Sequence, residues 1–299
     1  MQTTIGDFVS TSGVGLHTGA EVSIRLMPAP PDSGIVFRRT DLQNFEIEAH
    51  RKHVSRVVLA TTLMKRGVML STVEHLMSAL YGLGIDNLTV EIDSLEVPIL
   101  DGSALPYVEM IAQAGIVEQS RERRYLKLTQ EVRCEDGDKF IAITPADEFR
   151  ISYEIDFAHP AIGVQSLDLR VEPEAYRREL AFARTFGFLD EVEQLRRSNL
   201  IRGGSLENAV VLDEQGIFNG ELRAADEFVR HKVLDLIGDI ALCGYPILGH
   251  IRAFKAGHAL HTALATQILR SSSSWEEVPE SDLESPGEGP WSAVAAPQP

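Results

Sequence analysis

The stretch Asp226-Glu227-Phe228-Val229-Arg230-His231-Lys232-Val233-Leu234-Asp235 decides the reading of this chain, because it sets polar residues at helical intervals along an apolar segment. Continued to Asp239, the residues Glu227, His231, Asp235 and Asp239 recur every four positions, while Phe228, Val233, Leu234, Leu236, Ile237 and Ile240 supply a packing face. A helix over 225–243 follows, closed by Gly244; beyond it 247–254 reads as a strand and 258–269 as another helix. Taken alone, the polar stripe fits a solvated helix face. The alternative sets it along a cleft, with His231 and Asp235 one turn apart on a metal and Asp239 orienting another side chain.

Working back toward the N-terminus, the same order of elements recurs. Residues 21–26 and 87–92 alternate polar and apolar and read as half-buried strands. Between them Ser71 or Thr72 is placed to cap a helix running to about Leu80, with Gly82 and Gly84 as its stop, and 103–114 forms a second amphipathic helix ended by Gly115. Each half therefore runs helix, strand, helix, with Val73-Glu74-His75 on the first helix of one and Val229-Arg230-His231 on that of the other. This predicts an α+β fold of two similar two-layer α/β sandwich halves, each a sheet packed with helices, facing each other across a cleft. The halves span 1–122 and 125–270, joined near 120–124.

After Arg270 the composition changes to a run of four serines followed by five prolines and six acids with no Lys or Arg, so 271–299 is expected to be a disordered acidic tail. Trp275 and Trp291 fall in it and read as solvated. The whole chain carries 28 basic and 44 acidic residues, a net charge of −16, which repels a nucleic-acid backbone. Cys134 and Cys243 follow no metal-ligand spacing and read as reduced thiols; with no secretory signal and no uninterrupted apolar stretch of about 18 residues, a cytoplasmic protein is expected. Nothing in the sequence requires more than a monomer.

Two imidazoles and one carboxylate hold a zinc ion with one position open, and a glutamate beside a ligand reaches that position without filling it. Glu74 adjoins His75 in what reads as the first turn of a helix, where an acid also simply suits the helix dipole. Such a metal lowers the pKa of water from about 15.7 to about 7, roughly 12 kcal/mol of deprotonation cost. A general base contributes about 10² to 10⁴-fold, roughly 3 to 5 kcal/mol, so the metal is the larger effect and Glu74 a proton shuttle. His258, after Gly257, opens the last helix as a polar N-terminal residue or as an imidazolium that protonates a leaving amine, with Asp239 sustaining its charge. The glycine-rich run Gly13-Val14-Gly15-Leu16-His17-Thr18-Gly19 lacks the dinucleotide fingerprint and reads as a tight turn.

In order along 3–269, the 13–19 run, Val73-Glu74-His75-Leu76, Pro98-Ile99-Leu100-Asp101-Gly102-Ser103-Ala104, Ala183-Arg184-Thr185-Phe186-Gly187-Phe188, Gly203-Gly204-Ser205, 226–239 and Gly257-His258-Ala259-Leu260 closely resemble the bacterial UDP-3-O-acyl-N-acetylglucosamine deacetylases. These are zinc amidases of lipid A synthesis with a two-domain sandwich fold. The resemblance implies His75, His231 and Asp235 as ligands of one Zn2+, Glu74 as general base, and His258 as general acid backed by Asp239. It implies Thr185 as a further donor to the oxyanion, Phe186 near the sugar, and Phe157 near the uridine and glucosamine. Lys139, Lys232 and Lys255 are implied near the diphosphate or the reacting centre, and Gly204, Ser205, Ala209 and Val211 in the passage for the acyl chain. The implied reaction hydrolyses the N-acetyl group of the acylated UDP-sugar to acetate and a free amine. A zinc amidase on another acylated amino sugar and a nonenzymatic sugar-nucleotide sensor are the alternatives. His261 stands where the family leads one to expect Asn, and the tail lies outside the resemblance.

Overall fold

The computed structural model describes residues 1–57 and 59–283. Its first half runs β1 (Thr3–Ile5), β2 (Val9–Val14), β3 (Glu21–Pro28), β4 (Ile35–Arg39) and β5 (Phe45–Glu48), then an insert of β6 (Val54–Arg56), β7 (Thr62–Lys65) and β8 (Val68–Leu70), then α1 (Glu74–Gly82), β9 (Leu88–Ile92), α2 (Leu105–Ala114) and β10 (Ile116–Glu118). The second half runs β11 (Arg124–Leu128), β12 (Val132–Asp136), β13 (Lys139–Thr144), β14 (Phe149–Phe157), β15 (Gly163–Arg170) and α3 (Pro173–Glu179). An insert of β16 (Phe186–Phe188), α4 (Leu189–Arg197), β17 (Val210–Asp213) and β18 (Gly216–Ile217) follows, then α5 (Glu227–Ile240), β19 (Ile247–Phe254), α6 (His258–Arg270) and β20 (Trp275–Pro279). The α+β class expected from the sequence is the observed one.

The two main sheets are built alike. One orders its strands β2-β3-β9-β4-β5, and the other contains the path β12-β13-β19-β14-β15. In each, the late strand slots into the middle, antiparallel to one neighbour (β3 or β13) and parallel to the other (β4 or β14). Alternation in the sequence explains the sheet faces: Val22, Ile24 and Leu26 of β3 point into the core while their neighbours face out. The duplication that the sequence suggested through three residues is thus a repeat of topology. The linker is pinned: Arg123, almost wholly buried, donates to Asp86 Oδ2 at 2.7 Å and to the Gly84 carbonyl at 2.8 Å.

Two local expectations are corrected. Neither Ser71 nor Thr72 caps α1, whose N-cap is Val73. Thr72 instead takes a left-handed φ of 59° and gives its hydroxyl proton to Glu96 Oε1. Gly82 is the last residue of α1 and Gly84, at φ 72°, follows it, as expected; a Cβ on Gly82 would come within 2.4 Å of the Tyr176 ring. The tail is not disordered from Ser271: β20 pairs antiparallel with β11 over 275–279, and the Trp275 indole donates to the Ile268 carbonyl at 2.8 Å. In the first half β10 pairs antiparallel with β1, so β20 is the closing strand of the second repeat. An edge on β11 with unpaired backbone groups draws in even a Ser- and Glu-rich segment. Trp291 lies outside the described residues.

Candidate active site

Helices α1 and α5 cross between the sheets in backbone contact. A Cβ on Gly238 would come within 2.0 Å of the Glu74 carbonyl oxygen, so only glycine lets the first turn of α1 settle against α5. The stripe Glu227, His231, Asp235 and Asp239 is buried throughout, which settles its reading as a packed wall and not a solvated face. Glu227 accepts from the Arg184 guanidinium at 2.8 Å, and so ties the 183–188 segment to the start of α5.

Asp235 Oδ1 lies 3.3 Å from His231 Nε2 and 3.6 Å from His75 Nε2, and the two imidazoles stand edge to face with centroids 5.0 Å apart. All three are buried, with candidate ligand atoms within 4.8 Å of one another. His231 Nδ1 donates to the Ala183 carbonyl at 3.0 Å, which leaves the Nε2 lone pair free. Burial pushes the His231 imidazole down to about 3, so it stays neutral. Burial works against the Asp235 anion, yet the neighbouring His231 and Lys232 hold its carboxyl well below the usual range. A neutral imidazole and an ionised carboxylate are the forms a metal binds. His75 Nδ1 is buried without a hydrogen-bond partner among the described residues. The donor set therefore fits a zinc-type dication.

Two groups flank this cluster. Burial raises the Glu74 carboxyl, the positive character of His258 and His75 opposing it, and Glu74 Oε2 accepts from the Thr61 backbone N–H at 3.1 Å. Across from it, His258 Nε2 lies 3.8 Å from Glu74 Oε1 and 3.9 Å from Asp235 Oδ2. Its Nδ1 contacts Asp239 Oδ2 at 2.7 Å. Burial would lower the His258 imidazole, but Asp239, Asp235 and Glu74 outweigh it and raise it to about 10.

The family model for UDP-3-O-acyl N-acetylglycosamine deacetylase matches residues 2–270. This chain belongs to that family. Relatives named UDP-3-O-acyl-N-acetylglucosamine deacetylase include one from Solibacter usitatus, 53% identical over 276 residues that cover 92% of this chain and 93% of the relative. Another, from Myxococcus xanthus, is 51% identical over 290 residues, covering 96% and 92%. A third, from Pseudomonas entomophila, is 45% identical over 281 residues, covering 93% of each.

Within this deacetylase-family chain, the remaining sequence candidates fall into separate places. Phe186 packs edge to face on Phe157 at 5.7 Å and sits 6.3 Å from the His231 ring, with the Lys232 ammonium 5.5 Å above its face. Lys232 also donates to Asp235 Oδ2 at 2.9 Å, so these three residues border the cluster. Thr185 donates its N–H to the Gly102 carbonyl and follows Ala183, the residue that receives His231. Lys255 is engaged by Asp156 at 2.9 Å and Asp138 at 3.3 Å; Lys139, exposed at the head of β13, adjoins Asp138. Gly204, Ser205, Ala209 and Val211 belong to the second insert, where Asn219 binds the Ala209 carbonyl and the Val211 N–H.

Several contributors left no mark in the sequence. Thr61, wholly buried, holds Glu74 with its backbone and donates its hydroxyl to Asp239 Oδ1 at 2.5 Å, joining two flanking groups 165 positions apart (239 minus 74). Within the 13–19 run β2 continues to Val14 and the turn covers 16–18; it is nailed to Glu96, which accepts from His17 N–H, Thr18 N–H, Thr18 Oγ1 and Thr72 Oγ1. It docks on the second insert: Gly203 N–H donates to the Leu16 carbonyl at 3.0 Å. Both ring nitrogens of His17 are buried without a hydrogen-bond partner among the described residues. No single-sequence pattern links these positions; Thr61 alone joins residues 13 and 178 positions away.

Proposed function

We propose that this chain hydrolyses the acetamide of a UDP-3-O-acyl-N-acetylglucosamine to acetate and a free glucosamine amine, the deacetylation step of lipid A biosynthesis, with one Zn2+ held by His75, His231 and Asp235. The observation that carries the reading is the convergence of these three buried side chains beside Glu74 and His258, which lie 3.8 Å from each other. Family membership across nearly the whole chain supports the substrate.

When bound, the dication supplies Lewis acidity, which acidifies water and polarises a carbonyl oxygen. Glu74 takes the proton of the attacking water; its burial makes the carboxylate a stronger base than a solvated one. His258, raised to about 10 and held by Asp239, is protonated at neutral pH and hands a proton from Nε2 to the departing amine. Thr185 donates to the developing oxyanion. Phe157, Phe186 and Lys232 line the sugar, with Lys139 and Lys255 toward the diphosphate. Gly204, Ser205, Ala209 and Val211 line the acyl passage, where each buried methylene contributes about 0.8 kcal/mol. No helix among the described residues is long and apolar enough to cross a membrane, and Cys134 and Cys243 are free, which supports a reducing, cytoplasmic setting. The protein is proposed to act as a monomer.

The test pairs metal analysis of purified protein with acetate release from the acylated UDP-sugar. One zinc per chain and acetate release that stops in Glu74→Ala are the expected results. Turnover without the UDP or acyl portion would reassign the substrate, and the absence of all acetate release would remove the enzyme reading.

A further inference from the structure

Asp239 is wholly buried, and its Oδ2 meets two imidazoles, His258 Nδ1 at 2.7 Å and His261 Nδ1 at 2.9 Å. The far nitrogen of His261, Nε2, lies 2.9 Å from the Tyr153 hydroxyl, which itself lies 2.7 Å from the Ala256 carbonyl oxygen. The single phenolic proton lies between the His261 Nε2 lone pair and the Ala256 carbonyl, because burial lowers the His261 imidazole and keeps the ring neutral with one proton of its own. A carboxylate oxygen at 2.9 Å from a bare ring nitrogen would set two lone pairs against each other, so the Asp239–His261 contact also contains a proton. His261 is thereby fixed at both nitrogens, in a ring with no solvent exposure.

The orientation of His258 depends on the contact between its Nδ1 and Asp239 Oδ2, and the orientation of that carboxylate depends on its other donors. Thr61 restrains Oδ1; His261, braced by Tyr153 on β14, restrains Oδ2. We infer that His261 is a positioning residue: through Asp239 it holds His258 with Nε2 turned toward Glu74 and Asp235. The role rests on His258 being the proton donor proposed above.

Comparison of His261→Leu with His261→Asn tests it. The asparagine amide nitrogen is as many bonds from the backbone as imidazole Nδ1, so it restores the donor to Asp239 without reaching Tyr153. In His261→Leu, kcat falls about 10 to 100-fold with KM and metal content unchanged, and His261→Asn recovers most of that loss. A second readout needs neither metal nor turnover. Proton NMR of the metal-free, 15N-histidine-labelled protein shows two strongly downfield ring N–H signals, from His258 and His261; His261→Asn keeps the first alone, and Asp239→Asn loses both. A His261→Asn enzyme as slow as His261→Leu overturns the inference, as does an undiminished kcat in His261→Leu or a wild-type spectrum with one such signal. Should His261→Leu fail to fold, the asparagine variant and the spectrum decide. Both signals present in a protein that releases no acetate would sink the functional reading while leaving this hydrogen-bond geometry intact.

Discussion

The two halves share a strand order and a closing strand, yet their helices carry different freight. In the first half only the opening turn of α1 contributes, with Glu74 and His75; α2 opens on Leu105 and Pro106. In the second half α5 lines up His231, Asp235 and Asp239, and α6 opens on His258. A repeated scaffold therefore supports chemistry that is not repeated. The inserts occupy the same place in the chain order, just before the first long helix of each half, but differ in kind. β6, β7 and β8 form an antiparallel sheet that presents Thr61 beside β7, while the second insert pairs β16 and β17 in parallel and adds α4. The lesson is that a symmetric frame brings Glu74 from one half and His258 from the other within 3.8 Å of each other beside one cluster.

The sharpest way to break that division of labour is Glu74→Gln. Acetate release is expected to fall about 10² to 10⁴-fold with metal content retained; loss of metal as well as rate would make Glu74 a ligand. Next, His258→Gln is expected to cost about 10² to 10³-fold in kcat and to flatten the alkaline limb of the pH profile. The sign follows from the two shifts: kcat/KM rises as Glu74 loses its proton and falls as His258 loses its own. In metal-free protein, NMR titration should find His258 protonated up to about 10. Loading a dication should move that value down, because a nearby positive charge disfavours an imidazolium.

Where the halves touch, Gly238→Ala forces a side chain into the Glu74 carbonyl and should lower unfolding stability by about 1 to 3 kcal/mol in urea melts. Gly216→Ala in the second insert meets nothing within 4 Å and should stay within about 0.5 kcal/mol of the parent. Equal losses at both would deny that the helix crossing is the tight point. Trp275→Ala in β20 is expected to lower stability by about 1 to 2 kcal/mol while kcat holds within about 2-fold; a collapse of kcat would bring the closing strand into the mechanism.

Much of this was legible along the chain. The interval of four between Glu227, His231, Asp235 and Asp239 gave a helix and one shared face, and alternation gave the strands, because both depend on local periodicity. The start of α1 was misjudged since Thr72, a good cap by type, is claimed by the Glu96 carboxylate 24 positions away. The order of segment 271–283 was missed because composition says nothing of the unpaired edge of β11. Tyr153 and Thr61 had no local signature at all.

By itself the sequence determined which residues could hold a metal, move protons or pack a core, since those capacities belong to side-chain chemistry and to spacing within one element. Only the tertiary structure decided that the stripe on α5 is buried, that His75 arrives beside Asp235 from the other half, and that Thr61 and His261 restrain Asp239. The reason is physical: hydrogen bonds and ligand clusters act over about 3 to 4 Å of space, and residues more than a hundred positions apart come that close only after two sheets and their helices have packed.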